Sequence, residues 1–151
     1  MTRVRFLGCG WSHGVPVIGC TCEVCSNPHP RNRRRRPSIQ LISGDVSVVV
    51  DVGPDFRDQA LTFGIRHLDA VFITHAHADH VMGLDDIRRY TWERSSPLGI
   101  YADPDTRTRL QELLPYAAKH RAPGRGVPQI EFESWSTPVS VGPLKIGRAH
   151  V

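Results

Sequence analysis

The sequence has no apolar run approaching the roughly 18 residues that a membrane-spanning helix needs. Its first residues, MTRVRFLGCG, carry a short apolar core but neither the length nor the cleavage site of a secretory leader. Internal repeats and Gly/Ser-type linkers are missing, and aromatic residues are only 7% of the chain. Cysteine is scarce too: there are 4, and three of them crowd the stretch GCTCEVC instead of being spread as a disulfide framework would be. These absences exclude a membrane span, a repeat array and a disulfide-stapled secreted scaffold. What remains, at 151 residues with 40% hydrophobic and 23% charged residues, is one globular domain with a buried core, expected in the cytoplasm.

Charge is unevenly placed. The formal net charge of +4 comes largely from RNRRRR, Arg31 to Arg36. A local surplus of this kind favours an anionic ligand near that loop over a general nucleic-acid surface, and a solvated basic loop is the plain alternative. Cys20, Cys22 and Cys25 form a C-x-C-x-x-C cluster. In a reducing cytosol such thiols read as zinc ligands, and a tetrahedral site then needs a fourth donor from elsewhere. A redox cluster or incidental thiols are the other readings. Cys9, between Gly8 and Gly10 at a strand end, reads as a small packed residue and not as a ligand.

The periodicity alternates between strand and helix. Val4 to Leu7 reads as a strand, followed by a long loop from Trp11 to about Pro37. SIQLISGDVSVVVDVG predicts a hairpin with strands Ile39–Ile42 and Val46–Val50 about a Gly44-Asp45 turn. Pro54 opens a helix with Phe56, Ala60, Leu61 and Phe63 on one face and Gly64 at its end. LDAVFIT is a buried strand, GLDDIRRYTWER a helix, LGIYA a strand, and DPDTRTRLQELL a helix capped by Asp103 with Pro at its first position. QIEFESW alternates as a half-buried strand does, and TPVSVGPLKIG reads as a last hairpin. The class is α/β with a substantial mixed sheet.

The chemistry is densest at FITHAHADHVMGLDD, Phe72 to Asp86. A buried strand there runs into His75, His77, Asp79 and His80. Two histidines two apart in an extended segment point the same way and can share one metal ion. Asp79 and His80 follow where the chain bends and can reach a second. Imidazole and carboxylate suit Zn, Mn or Fe better than Mg or Ca. Gly83 lets the chain turn into the next helix. Asp85, Asp86 and Arg88 lie just beyond, as weak candidates for substrate contact; a helix cap and a surface ion pair explain them almost as well.

THAHADH matches the T-H-x-H-x-D-H signature, and VVVDVGPDF resembles the strand ending in Asp-x-Gly, of the metallo-β-lactamase fold superfamily. More narrowly, GCGWSHGVPVIGCTCEVC, NRRRRPSIQL and HADHVMGLDDIR resemble the phosphoribosyl cyclic phosphodiesterases, accessory proteins of the carbon–phosphorus lyase pathway. The resemblance covers nearly the whole chain to about Asp103. It implies an αββα sandwich and two divalent metals, Zn or Mn, on His75, His77, Asp79 and His80, with Asp79 and His80 catalytic. It further implies Asp51 as an orienting neighbour, and a separate structural zinc on Cys20, Cys22 and Cys25 with a distant histidine. Two ions about 3.5–4 Å apart would make hydroxide available at neutral pH for attack on a small phosphorylated substrate. A homodimer is the candidate assembly. Trp11 and His13 depart from the pattern, standing where relatives usually carry small residues.

Two-metal sites of this superfamily need further histidines and an aspartate from later in the chain, but after His80 only His120 and His150 remain, outside any motif. The chain is therefore expected to be the N-terminal half to two-thirds of the domain, residues 1–145, and inactive by itself. Residues 146–151, IGRAHV, are what ATC-GGA-AGA-GCA-CAC-GTC encodes, which resembles a widely used sequencing-library adapter followed by a stop triplet. They are expected to be a non-native tail; a natural basic tail is the alternative. Within the same superfamily the alternatives are a tRNA 3′-processing endonuclease and a thioester hydrolase. From another class comes a zinc-bearing nucleic-acid-binding module, for which the basic loop has few stacking aromatics.

Overall fold

The β-branched run Val46–Val50 sets the two faces of the molecule, because successive side chains on a strand point to opposite sides. A computed structural model describes residues 1–119 and 126–148. Strands β1 (Thr2–Gly8), β2 (Ser38–Ser43), β3 (Val46–Val50), β4 (Ala70–Phe72), β5 (Leu98–Ala102) and β6 (Ile130–Ser134) form one sheet in sequence order. The first three pair antiparallel and β3 to β6 pair parallel. Between them lie helices α1 (Glu23–Ser26), α2 (Phe56–Phe63), α3 (Ala78–Val81), α4 (Pro104–Leu113) and α5 (Pro115–Lys119), and a final hairpin of β7 (Val139–Val141) and β8 (Leu144–Ile146). No helix among the described residues is long and apolar enough to cross a membrane.

Val49, Val71 and Ile100 pack on the side of Phe56, Ala60 and Leu110, so helices α2 and α4 cover one face of the sheet. Val48, Ala70 and Phe72 pack on the other with Trp135 and Leu144, under the β7–β8 hairpin. Phe72 lies between Tyr101 and Trp135, with each ring centroid 4.8 Å away. Toward β1 this second face is open: Val4 and Phe6 are 56% and 67% exposed. Helix layer, sheet and second β layer give the mixed α/β class that the sequence implied.

Several expectations change in detail. Leu61 is 65% exposed, and Gln59 takes its place among the buried residues of α2. The 3.6-residue repeat explains this: positions 56, 59, 60 and 63 share one stripe and position 61 does not. Gln59 is tied inward by donating from Nε2 to the Arg36 carbonyl at 2.9 Å. GLDDIRRYTWER forms a 3-10 helix over Leu84–Thr91, starting with the Asp86 N–H on the Gly83 carbonyl, an i to i+3 bond. Cys9 is exposed and not packed. The glycines on either side of it are the ones that pack: a Cβ on Gly8 or Gly10 would lie 2.1 or 2.7 Å from the Arg36 or Arg34 carbonyl. The stretch from Trp11 to Pro37 holds α1, a 3-10 turn at Pro30–Asn32 and a two-residue bridge, Val15 to Arg34, and is no free loop. Ile146 and Arg148, within the expected tail, pair with Val139 and with Asp103.

Candidate metal centres

The strands β3 and β4 run parallel and end at the same edge of the sheet, so Asp51 and Thr74 leave it side by side. Asp51 is buried with φ of 62°, a left-handed conformation unusual for a residue other than glycine and commonest for Asn and Asp. Its backbone is held there by its own N–H on the Phe72 carbonyl and by the Ser38 hydroxyl on its carbonyl, both 2.8 Å. Strained backbone that neighbours hold in place is a mark of functional sites. Here the strain turns one carboxylate toward three partners. The Thr74 N–H bonds Oδ1, and the Thr74 hydroxyl and His80 Nδ1 bond Oδ2, all at 2.8 Å.

This network fixes which imidazole nitrogens are free. A carboxylate only accepts, so His80 Nδ1 carries a hydrogen, and in the neutral ring Nε2 is then the nitrogen with the lone pair. Thr74 has one hydroxyl hydrogen and gives it to Asp51. Its oxygen, 3.0 Å from His75 Nδ1, therefore accepts from that nitrogen, and His75 Nε2 is the free acceptor. Both rings are prepared to ligate through Nε2. Burial, and then the imidazoles of His80 and His77, hold the His75 pKa below the usual histidine value, which favours its neutral form.

The His75 ring lies 4.6 Å from that of His77 and 4.0 Å from that of His80, centroid to centroid, and Asp79 Oδ2 is 3.3 Å from His80 Nε2. The loop is locked down by close backbone packing: a Cβ on Gly53 would stand 1.9 Å from the Asp79 carbonyl. The Val52 N–H bonds the His80 carbonyl at 2.8 Å and the Gly83 N–H bonds the Val52 carbonyl at 2.9 Å. Three imidazoles and a carboxylate are donors of the kind that Zn or Mn takes, though no three of them lie within 4.8 Å of one another. Thr74 is a site residue that the sequence does not mark, because nothing in a spacing pattern shows that one hydroxyl serves both Asp51 and His75.

The thiols are arranged differently. One sulfur from each of Cys20, Cys22 and Cys25 lies within 4.8 Å of the others, a grouping that no other three His, Cys, Asp or Glu donors make among the described residues. Cys20 and Cys22 are exposed, and Cys25 is half-buried with the Val17 N–H 3.4 Å from its sulfur. The Cys25 N–H and then the neighbouring thiols lower the Cys22 pKa, toward the thiolate that zinc requires, whereas at Cys25 the Val17 N–H lowers the pKa but burial and the other two thiols outweigh it and push it up. A set of three thiolates fits zinc.

The remaining candidates sit away from these donors or are spent. Asp85 pairs with Arg88 at 2.7 Å and accepts from the Tyr116 hydroxyl at 2.7 Å. Burial, followed by that bond, pushes the Tyr116 phenol up to about 12. Asp86 lines a separate cleft with Arg57 and Arg89. Trp11 is exposed and its ring centroid lies 5.0 Å from that of His13. His120 and His150 lie outside the described residues.

Residues 47–149 match the family model described as a Beta-lactamase superfamily domain. Among curated proteins, the chain is 40% identical over 131 residues to an octanoyltransferase of Porphyromonas gingivalis, covering 86% of this chain and 26% of that protein. It is 33% identical over 131 residues to a ribonuclease Z of Pyrococcus horikoshii, covering 78% and 43%. Among solved structures, it superposes with a TM-score of 0.85 and 36% identity on a "New Diphosphatase from the PhnP Family", covering 96% of this chain and 55% of that one. The chain thus spans between 26% and 55% of the length of these proteins.

Proposed function

The chain belongs to the beta-lactamase superfamily, and from that premise we propose that it carries metal ligands of a phosphodiester hydrolase whose substrate is a cyclic phosphate or a related small phosphodiester. The observation that supports this reading is the bracing of His75 by Thr74 and of His80 by Asp51, with the His80 Nε2 3.3 Å from the Asp79 carboxylate. In the proposed division, His75 and His77 hold one divalent ion and Asp79 and His80 a second, with Zn or Mn as the metal. When bound, such ions supply Lewis acidity, bringing the pKa of water from about 16 to about 7 and offsetting charge that develops on the phosphate. The chain's own contribution is orientation. Asp51 and Thr74 fix the ring tautomers before any ligand arrives, and the Gly53 contact with Asp79 fixes where that carboxylate leaves the backbone. Cys20, Cys22 and Cys25 hold a structural zinc apart from that pair.

The diphosphatase named among the similar structures favours a small phosphorylated substrate, and the ribonuclease Z relative favours RNA as a second reading. The octanoyl transfer named for the Porphyromonas protein is not carried over, because the aligned stretch is 26% of that protein. The full-length gene product should hydrolyse bis(p-nitrophenyl) phosphate with Zn or Mn added and lose that activity to a chelator. It should prefer ribose cyclic phosphates to a precursor tRNA. Turnover of the precursor tRNA alone would move the assignment to the second reading, and no hydrolysis with either metal would end the first.

A further inference from the structure

The arginine run is held by its backbone, while the Arg33 and Arg34 side chains are exposed. The Arg34 N–H and carbonyl pair with Val15, each at 2.8 Å, and the Arg35 carbonyl accepts from the Gly10 N–H at 2.8 Å. The Arg36 N–H bonds Asp55 Oδ2 at 2.8 Å, and its carbonyl accepts from Gln59. Both sides of the segment's backbone are thus fastened, so the backbone entropy of bringing the four residues together is already spent in folding. Two of the four are neutralised: Arg35 by Asp58, and Arg36 by Asp55 at 2.8 Å. Arg33 and Arg34 make no ion pair among the described residues. Together with His13 they line a cleft of about 350 Å³, a volume in the small-ligand range.

The cleft lies along the edge that carries the histidines. β1 ends and β2 begins where β3 and β4 end, and β2 is two strand spacings, roughly 10 Å, from β4. The segment joining the two places is short, since Gly53 abuts Asp79 while Asp55 lines the cleft.

We propose that this cleft is an anion-binding site that takes a phosphate or diphosphate group through Arg33 and Arg34. Guanidinium groups form bidentate, charge-assisted bonds to phosphate oxygens, and two that are not spent on ion pairs can turn such donors toward an anion in the cleft. Binding of the anion stands by itself.

The test is a titration of the chelator-treated 151-residue protein with inorganic pyrophosphate, followed by amide shifts and by calorimetry. Working without metal separates this inference from the hydrolase reading, which is judged by turnover. The expected result is saturable shifts at Gly10, Gly14 and Arg34, with binding about tenfold weaker in R33Q/R34Q. The charge-matched control R3Q/R109Q should stay within about twofold of the parent. Equal weakening in both variants, shifts centred on His75 to His80, or no saturation while a single-stranded RNA does bind would each overturn it.

Discussion

Two loops of this molecule gather metal-type donors, and they are built in opposite ways. At Thr74 to Gly83 the donors lie at a sheet edge, and two of the four are tied to neighbours, His80 to Asp51 and His75 to Thr74, while the backbone is held by Val52 and Gly53. At Cys20 to Cys25 the sulfurs converge on one another, next to a helix of only four residues with no buried side chain. In the first site neighbouring groups orient the donors, and in the second the sulfurs converge with few protein contacts to hold them. Second-neighbour hydrogen bonds set ligand direction before binding, whereas small thiolate sites commonly draw their order from the ion itself.

The strongest attempt to break that comparison is Asp79→Asn in the full-length gene product. It removes the one negative ligand of the sheet-edge set, and phosphodiesterase turnover should fall by about two to four orders of magnitude, with the circular dichroism spectrum unchanged. Turnover within a few-fold of the parent would remove Asp79 from the chemistry. Next in size is Asp51→Ala, which touches no metal in the proposed division. It frees His80 Nδ1 and the Thr74 hydroxyl, and by analogy with other orienting carboxylates the metal at His80 should bind about 10–100-fold more weakly. An unchanged affinity, measured by competition with a chromophoric chelator, would show that the bracing is structural only.

Replacing Cys20 and Cys22 by serine tests the other half. Metal analysis should show about one zinc lost, and the backbone between Val17 and Asn27 should lose amide protection against hydrogen exchange while that of Thr74 to Gly83 is unchanged. Simultaneous loss of all metal would mean that the two loops are not independent.

How far this contrast could be read from sequence depends on the range of the interactions. Val46–Val50 and Leu98–Ala102 were legible as strands because their cues are local: apolar β-branched runs between turn residues, with Gly44 at φ of 59° in the hairpin turn. The donor residues were legible because spacing alone marks them. Thr74 was not, since its value lies in a carboxylate 23 residues away and an imidazole one residue away sharing one hydroxyl. The pairing of Arg35 and Arg36 with Asp58 and Asp55, across 23 and 19 residues, was equally out of reach, so the run read as undivided positive charge. Leu61 was misplaced for a smaller reason, a stripe drawn one position too wide.

The smallest expected effect comes from a site in neither loop and gives the comparison its baseline. Asp103 caps α4: Oδ1 accepts from the Thr106 N–H at 2.9 Å and Oδ2 from the Thr106 hydroxyl at 2.8 Å, while Arg148 lies 2.9 Å from Oδ2. Burial alone would raise its pKa, but the Thr106 bonds and the Arg148 charge outweigh it, and the carboxyl titrates below its ordinary value. A depressed folded-state pKa means stability that is present above the unfolded value of about 3.9 and lost as pH falls through the folded one. Asp103→Ala should therefore cost about 1 kcal/mol at pH 7, or about 2–4 °C in Tm, and the gap to the parent should narrow below about pH 4. Arg148→Ala should cost far less, because the guanidinium is half-exposed and an exposed ion pair contributes about 0–1 kcal/mol. Metal content should be the same in both variants. If Arg148→Ala matched Asp103→Ala in Tm, the pair and not the cap would hold the start of α4, and a loss of metal in either would tie this helix to the donor loops.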